Sequence, residues 1–143
     1  MVLRLMSICD YAPAYSLWMG AAGVGLRSVD DSREGIAKFL TRNPGSCFVA
    51  EDGNQIVGTI LCGHDGRRGY IYHAMVASAH RQRGIGRELV EAGLAALRAE
   101  GINRVGLVAF RSNENGAAFW KAVGFERRED LSYWNVSLNG ENR

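Results

Sequence analysis

The sequence predicts an α/β protein: a mixed, mostly antiparallel sheet with helices on both faces, in the order β-α-α-β-β-β-α-β-α-β. Three observations carry that expectation. Between Cys47 and Ala77 the apolar runs are separated by turn sequences, Asp52-Gly53-Asn54 and Asp65-Gly66-Arg67-Arg68-Gly69, which reads as an antiparallel meander. After it, Leu89, Val90, Leu94 and Leu97 recur at helical spacing and form one apolar stripe. The run Arg104 to Phe110 then follows a helical crossover, so it is expected to lie parallel to the Tyr70–Ala77 strand.

The elements follow in order. Leu3 to Ile8 reads as a first strand, and Asp10 as the cap of a helix that tolerates Pro13 in its first turn and ends near Gly20. Gly20, Gly23 and Gly25 make a connector. Ser32 followed by Glu34 opens a second helix, with Ile36, Phe39 and Leu40 on its buried face and Asn43-Pro44-Gly45 as its stop. Cys47–Glu51, Gln55–Gly63 and Tyr70–Ala77 are the meander strands. A helix runs from Gly86 to Gly101, and Asn115 to Val123 is a short helix closed by Gly124. Leu131 to Leu138 alternates well enough for a final strand, and Asn139 to Arg143 reads as a frayed end.

The chain of 143 residues suits one domain, residues 1–143, with a real core. A net charge of +2 argues against nucleic-acid binding, which calls for a strongly basic face. The longest early apolar run, Leu17 to Leu26, is too short and too glycine-rich for a membrane helix. Cys9, Cys47 and Cys62 form no C-x-x-C, and with His64, His73 and His80 show no metal-ligand spacing, so no metal and a reduced, cytoplasmic setting are expected. Gly20-x-x-Gly23-x-Gly25 lacks the preceding strand that a dinucleotide site requires.

Arg81-Gln82-Arg83-Gly84-Ile85-Gly86 is the segment richest in chemistry. A strand leads into it and a helix leads out. The unpaired N–H groups of a first helical turn, together with the helix dipole, favour an anion there, and glycine lets a bulky phosphate approach the backbone.

Arg81-x-x-Gly84-x-Gly86 is similar to the Gln/Arg-x-x-Gly-x-Gly/Ala loop of the GCN5-related N-acetyltransferases (GNAT). Two further segments resemble that family at the right spacing: Met75-Val76 at the preceding strand end, and Asn113-x-x-Gly116-x-x-Phe119-Trp120-x-x-x-Gly124-Phe125 downstream. The segment Gly63 to Gly69 resembles the YpeA-like bacterial branch. The resemblance implies acetyl-CoA as co-substrate. Its pyrophosphate would lie on the amides of Arg81, Gln82, Arg83, Gly84, Ile85, Gly86 and Arg87. Its pantetheine arm would run along Met75 and Val76, with Asn113 on the far wall. Splayed fourth and fifth strands would leave room for that arm, and a backbone N–H near Val76 would stabilise the oxyanion.

The resemblance implies direct transfer of the acetyl group to a primary amine in a ternary complex. The acceptor would be a small molecule or a peptide or protein amine, bound between the Gly20–Leu26 connector and the segment after Arg111. Alkyl amines are protonated at neutral pH, so a base is needed, and usually an acid for the departing thiolate. The family's usual acid tyrosine falls on Trp120, and the glutamate base of the RimI type on Val108. Tyr70 and Tyr72, on one face of a strand, and Tyr133 are the remaining catalytic candidates, with His73 facing the other way. Lacking the common acid and base, a non-catalytic acyl-CoA sensor is the alternative. An exposed edge or final strand offers a route to a homodimer.

Overall fold

A computed structural model describes residues 1–21 and 23–143; Ala22, inside the expected Gly20–Leu26 connector, lies outside the described residues. The sheet has the spatial order β1-β2-β3-β4-β5, formed by β1 (Val2–Leu5), β2 (Cys47–Asp52), β3 (Gln55–His64), β4 (Gly69–Val76) and β5 (Val105–Gly106). The first four pair antiparallel and β5 pairs parallel to β4, as the intervening helix requires. Helices α1 (Tyr11–Met19) and α2 (Arg33–Arg42) cover one face; α3 (Ile85–Ala99) and α4 (Glu114–Ala122) cover the other.

Two apolar clusters reflect the two layers. Trp18 of α1 and Ile36 and Leu40 of α2 meet Val49 and Leu61 on one side of the sheet. Leu89, Val90 and Leu97 of α3 meet Ile60, Cys62 and Ile71 on the other. Of the stripe read from the sequence, Leu89, Val90 and Leu97 are buried and Leu94 is partly buried, and each fully buried leucine contributes about 1.5–3 kcal/mol. Helix α2 starts as expected, with the Gly35 N–H donating to Ser32 Oγ at 3.0 Å. A side chain at Gly35 would collide with the Val29 and Asp30 carbonyls, so the connector, which runs on past Leu26 through Asp31, is drawn tightly over the start of α2.

The structure corrects several expectations. The first strand ends at Leu5, and Ile8–Asp10 is a 3₁₀ turn. Asp10 does not cap α1 with its side chain; its carboxylate accepts from the Ser7 N–H and takes two hydrogen bonds from Arg4, at 2.8 and 2.9 Å. The Arg104–Phe110 strand shrinks to Val105–Gly106. Among the described residues no strand spans Leu131–Leu138, where Trp134 is 88% exposed and Leu138 95%. Alternation shows that a segment fits a strand, but an edge must receive it, and a two-residue β5 offers very little. The end beyond it is not frayed: Asn142 Oδ1 accepts from the Val29 and Asp30 N–H groups, both at 3.0 Å, and ties the C-terminus to the connector.

The most consequential departure lies inside β4. Leu61 pairs with Tyr72 and Thr59 with Met75, so Ile60 alone faces both His73 and Ala74. This is a β-bulge, and His73 adopts the left-handed region at φ 46°. The extra residue resets the alternation. Tyr72 lies against Phe39 of α2 and His73 against Trp18 of α1, so both face the same layer, contrary to the expectation that His73 faces away.

Candidate active site

Strand β4 supplies the first part of the site. Because β5 pairs only with Gly69 and Tyr70, the outer edge of β4 from Ile71 to Val76 has no strand partner among the described residues. The Ala77 N–H donates to Val57 O at 2.8 Å, so the ladder's alternation turns the Val76 N–H outward, to the open edge. Met75 and Val76 therefore border a slot in which an extended chain can lie as a pseudo-strand.

The Arg81–Gly86 loop closes the end of that slot. Gln82 has φ 63° and Gly84, the residue before α3, φ 81°. Left-handed residues near a helix start turn successive N–H groups inward, a concavity suited to an anion. Among the described residues only His73 and Gln82 are non-glycines with positive φ, and both border this slot. Such strain recurs at functional sites. A side chain at Gly84 would meet nothing within 4 Å, which leaves space above the loop for a bulky group. Gly86 has a different reason: its would-be Cβ lies 3.0 Å from the Phe119 ring, so it seats α4 on α3.

The loop's side chains divide. Ile85 is buried. All four polar side chains are exposed, but Arg81 Nε donates to Val76 O at 3.3 Å and Arg87 reaches the Ala122 carbonyl at the end of α4 at 3.3 Å, whereas Gln82 and Arg83 make no hydrogen bond among the described residues. Asn113 caps α4, its Oδ1 accepting from the Gly116 N–H at 2.9 Å, while its amide nitrogen faces Gly23 of the connector. Trp120 is wedged between Phe119 and Phe125, with centroids 5.1 Å from each, and is a packing residue.

Tyr70, Tyr72 and Tyr133 do come together. The Tyr70 and Tyr72 rings lie 4.7 Å apart, and the nearby Tyr133 phenol opposes ionisation of both. Burial, then the neighbouring phenols, push Tyr70 up to about 12; burial first, then Tyr133 and Asp30, raises Tyr72. These phenols hold their protons and suit donation rather than proton abstraction. Tyr70 and Tyr72 line a cleft of about 300 Å³ with Arg42, His64 and Arg68. A second cleft, about 230 Å³, lies between α1 and the end of β4 and is lined by Leu17, Gly20, Met75, Ser78 and Arg81. Burial pushes Cys47 and Cys62 up to about 12, which leaves both thiols protonated and unsuited to act as nucleophiles.

Sequence reasoning passed over Asp31. Its Oδ1 lies 2.6 Å from His73 Nε2, a contact 42 residues apart in the chain. In the sequence, Asp30-Asp31-Ser32 reads simply as the approach to a helix; only the folded connector brings it to β4.

An open β4 edge, an outward amide and an anion loop at a helix start together suit an extended ligand that ends in a phosphate group. The Acetyltransferase (GNAT) family matches residues 12–125, and the chain belongs to it. It is an acetyl-CoA-dependent N-acetyltransferase by that membership. Over 131 residues it is 27% identical to an acetyltransferase of Sodalis glossinidius, covering 92% of this chain and 91% of the relative. It is 36% identical to the N-alpha-acetyltransferase MAK3 of Arabidopsis thaliana over 106 residues, 71% of this chain and 55% of that one. The crystal structure of Ard1 from Thermoplasma volcanium shares the fold with a TM-score of 0.77 at 21% identity, over 87% of this chain and 82% of that one.

Proposed function

We propose that the protein transfers the acetyl group of acetyl-CoA to a primary amine by direct attack within a ternary complex. The observation that carries this is the open β4 edge running from Ile71 to Val76 into the Gln82–Gly84 anion loop. The pantetheine arm would occupy the slot beside Met75 and Val76, with the pyrophosphate on the amides of Arg81 to Arg87. The outward Val76 N–H sits where a thioester oxygen would gain negative charge, and a donor of this kind is typically worth about 10²–10³ in rate. Holding both substrates in one cleft supplies the rest of the acceleration through proximity.

The acceptor side is the layer of β4 covered by α1 and α2, where Tyr70, Tyr72 and Tyr133 converge. Tyr70 and Tyr72, kept protonated by their raised pKa values, can hand a proton to the departing thiolate, the role that Trp120 cannot fill. The N-alpha-acetyltransferase relatives put a peptide α-amine first among acceptors to try. The test is thiol release from acetyl-CoA with a panel of peptides, polyamines and small amines. Transfer to a primary amine supports the reading. Calorimetric acetyl-CoA binding with no transfer to any amine would favour a sensor instead.

A further inference from the structure

The His73–Asp31 pair has no part in the phenol cluster, and its construction is specific. The Trp18 indole N–H donates to Thr59 Oγ1 at 2.9 Å, and the Thr59 hydroxyl donates to the His73 carbonyl at 2.6 Å. Trp18 and Thr59 are fully buried, so this chain of bonds fixes the bulge. The His73 ring lies 4.6 Å from the Trp18 ring, on the face of β4 between Tyr72, which lines one cleft, and Met75, which lines the other.

Asp31 is held as firmly. Its Oδ2 accepts from the Arg27 N–H at 2.6 Å, and the Tyr11 hydroxyl donates to its carbonyl at 2.7 Å. The side chains of His73 and Asp31 are only 10% and 8% exposed. A carboxylate can only accept, so Nε2 carries the hydrogen of the pair and Nδ1 of the neutral ring keeps its lone pair. Among the described residues Nδ1 has no hydrogen-bond partner, and it is not a fully buried atom.

Resting on the transfer reading above, we infer that His73 is the base that takes the proton from the acceptor ammonium, with Asp31 as its positioning residue. Nδ1 takes one proton from the ammonium, and the freed lone pair forms the C–N bond at the thioester carbonyl. The C–S bond breaks as the tetrahedral centre collapses, its electron pair leaving with sulfur. The remaining excess N–H proton reaches the thiolate through a phenol of the Tyr70–Tyr72 pair, whose hydroxyl gives its proton to sulfur and takes one from nitrogen, and the imidazolium returns its proton to water. The surrounding titratable groups are Asp31 on the connector, Tyr11 behind it, Tyr72 beside it on β4, and Asp30 and Tyr133 near Tyr72; Arg27 approaches only through its backbone.

The test compares the pH dependence of kcat/KM for acetylation of a primary amine in the wild type with that of His73→Gly, whose backbone adopts φ 46° freely. His73→Asn, which also tolerates that region, is the second variant should the glycine chain not fold. The expected result is a loss of about 10²–10⁴ on the alkaline side, disappearance of the acid limb, unchanged calorimetric acetyl-CoA affinity, and partial rescue of His73→Gly by free imidazole. Asp31→Asn should shift the acid limb, whereas Asp31→Glu should restore part of it. A His73 variant that keeps the wild-type pH profile overturns the inference and leaves amine transfer standing. A wild-type enzyme that acetylates no amine overturns both.

Discussion

The Gln82 and His73 regions are built from the same backbone feature and, in the proposed reaction, serve opposite ends of one site. Both residues sit in the left-handed region, at φ 63° and 46°. At Gln82 the side chain is exposed and without a hydrogen bond among the described residues, so the backbone alone gives the position its use. At His73 the side chain is held by Trp18 and Asp31, and the backbone serves to aim it. A pyrophosphate asks only for amides, which every residue has; proton transfer asks for a particular ring in a particular orientation.

The sharpest way to break the loop half is Gly84→Asp. It adds a carboxylate where the anion is to sit, at a φ of 81° that a side chain resists. Acetyl-CoA affinity should fall by at least about 100-fold, roughly 2.7 kcal/mol. Calorimetry on a variant with wild-type circular dichroism reads it, and unchanged affinity would remove the loop from the cofactor site.

Next in size is one substitution made at both left-handed positions. Gln82→Gly relieves a left-handed cost of about 1–2 kcal/mol, offset in part by a more flexible unfolded chain, and should raise the melting temperature or leave it unchanged. His73→Gly relieves the same cost but loses the Trp18 contact and strands Asp31, so it should lower stability by about 2–3 kcal/mol. Opposite signs in parallel thermal melts support the contrast. Equal destabilisation would mean that the Gln82 side chain has a structural task of its own.

The two regions also differ in how far the sequence exposes them. The anion loop is local: strand, glycines and helix start are contiguous, so the pattern and the geometry coincide. The bulge is not. Nothing in Tyr70–Val76 marks the place where Ile60 would face two residues, because the extra residue is fixed by Trp18 and Thr59 from other elements. One extra residue in a period-two pattern turns a side chain to the other face, so simple alternation points His73 away from the layer it occupies. The meander, α2 and α3 were legible for the same local reason as the loop. Leu131–Leu138 was misread for the opposite one, since its alternation carries no information about the length of β5.

The smallest expected effect separates donor from acceptor on the proton side. Tyr72 is 45% exposed and its pKa is raised, by burial first and then by Tyr133 and Asp30. From about pH 6 to 9 a phenol above its ordinary value of about 10 stays protonated, so its contribution cannot vary with pH in that window. Tyr72→Phe should therefore lower kcat by a constant factor of about ten or less, with KM unchanged, because Tyr70 and Tyr133 remain to protonate the thiolate. The His73 defect should behave differently and vary across the same window, because a general base acts only in its unprotonated form. A Tyr72→Phe defect that varied across this window would assign base chemistry to the phenol and remove the distinction between Tyr72 and His73.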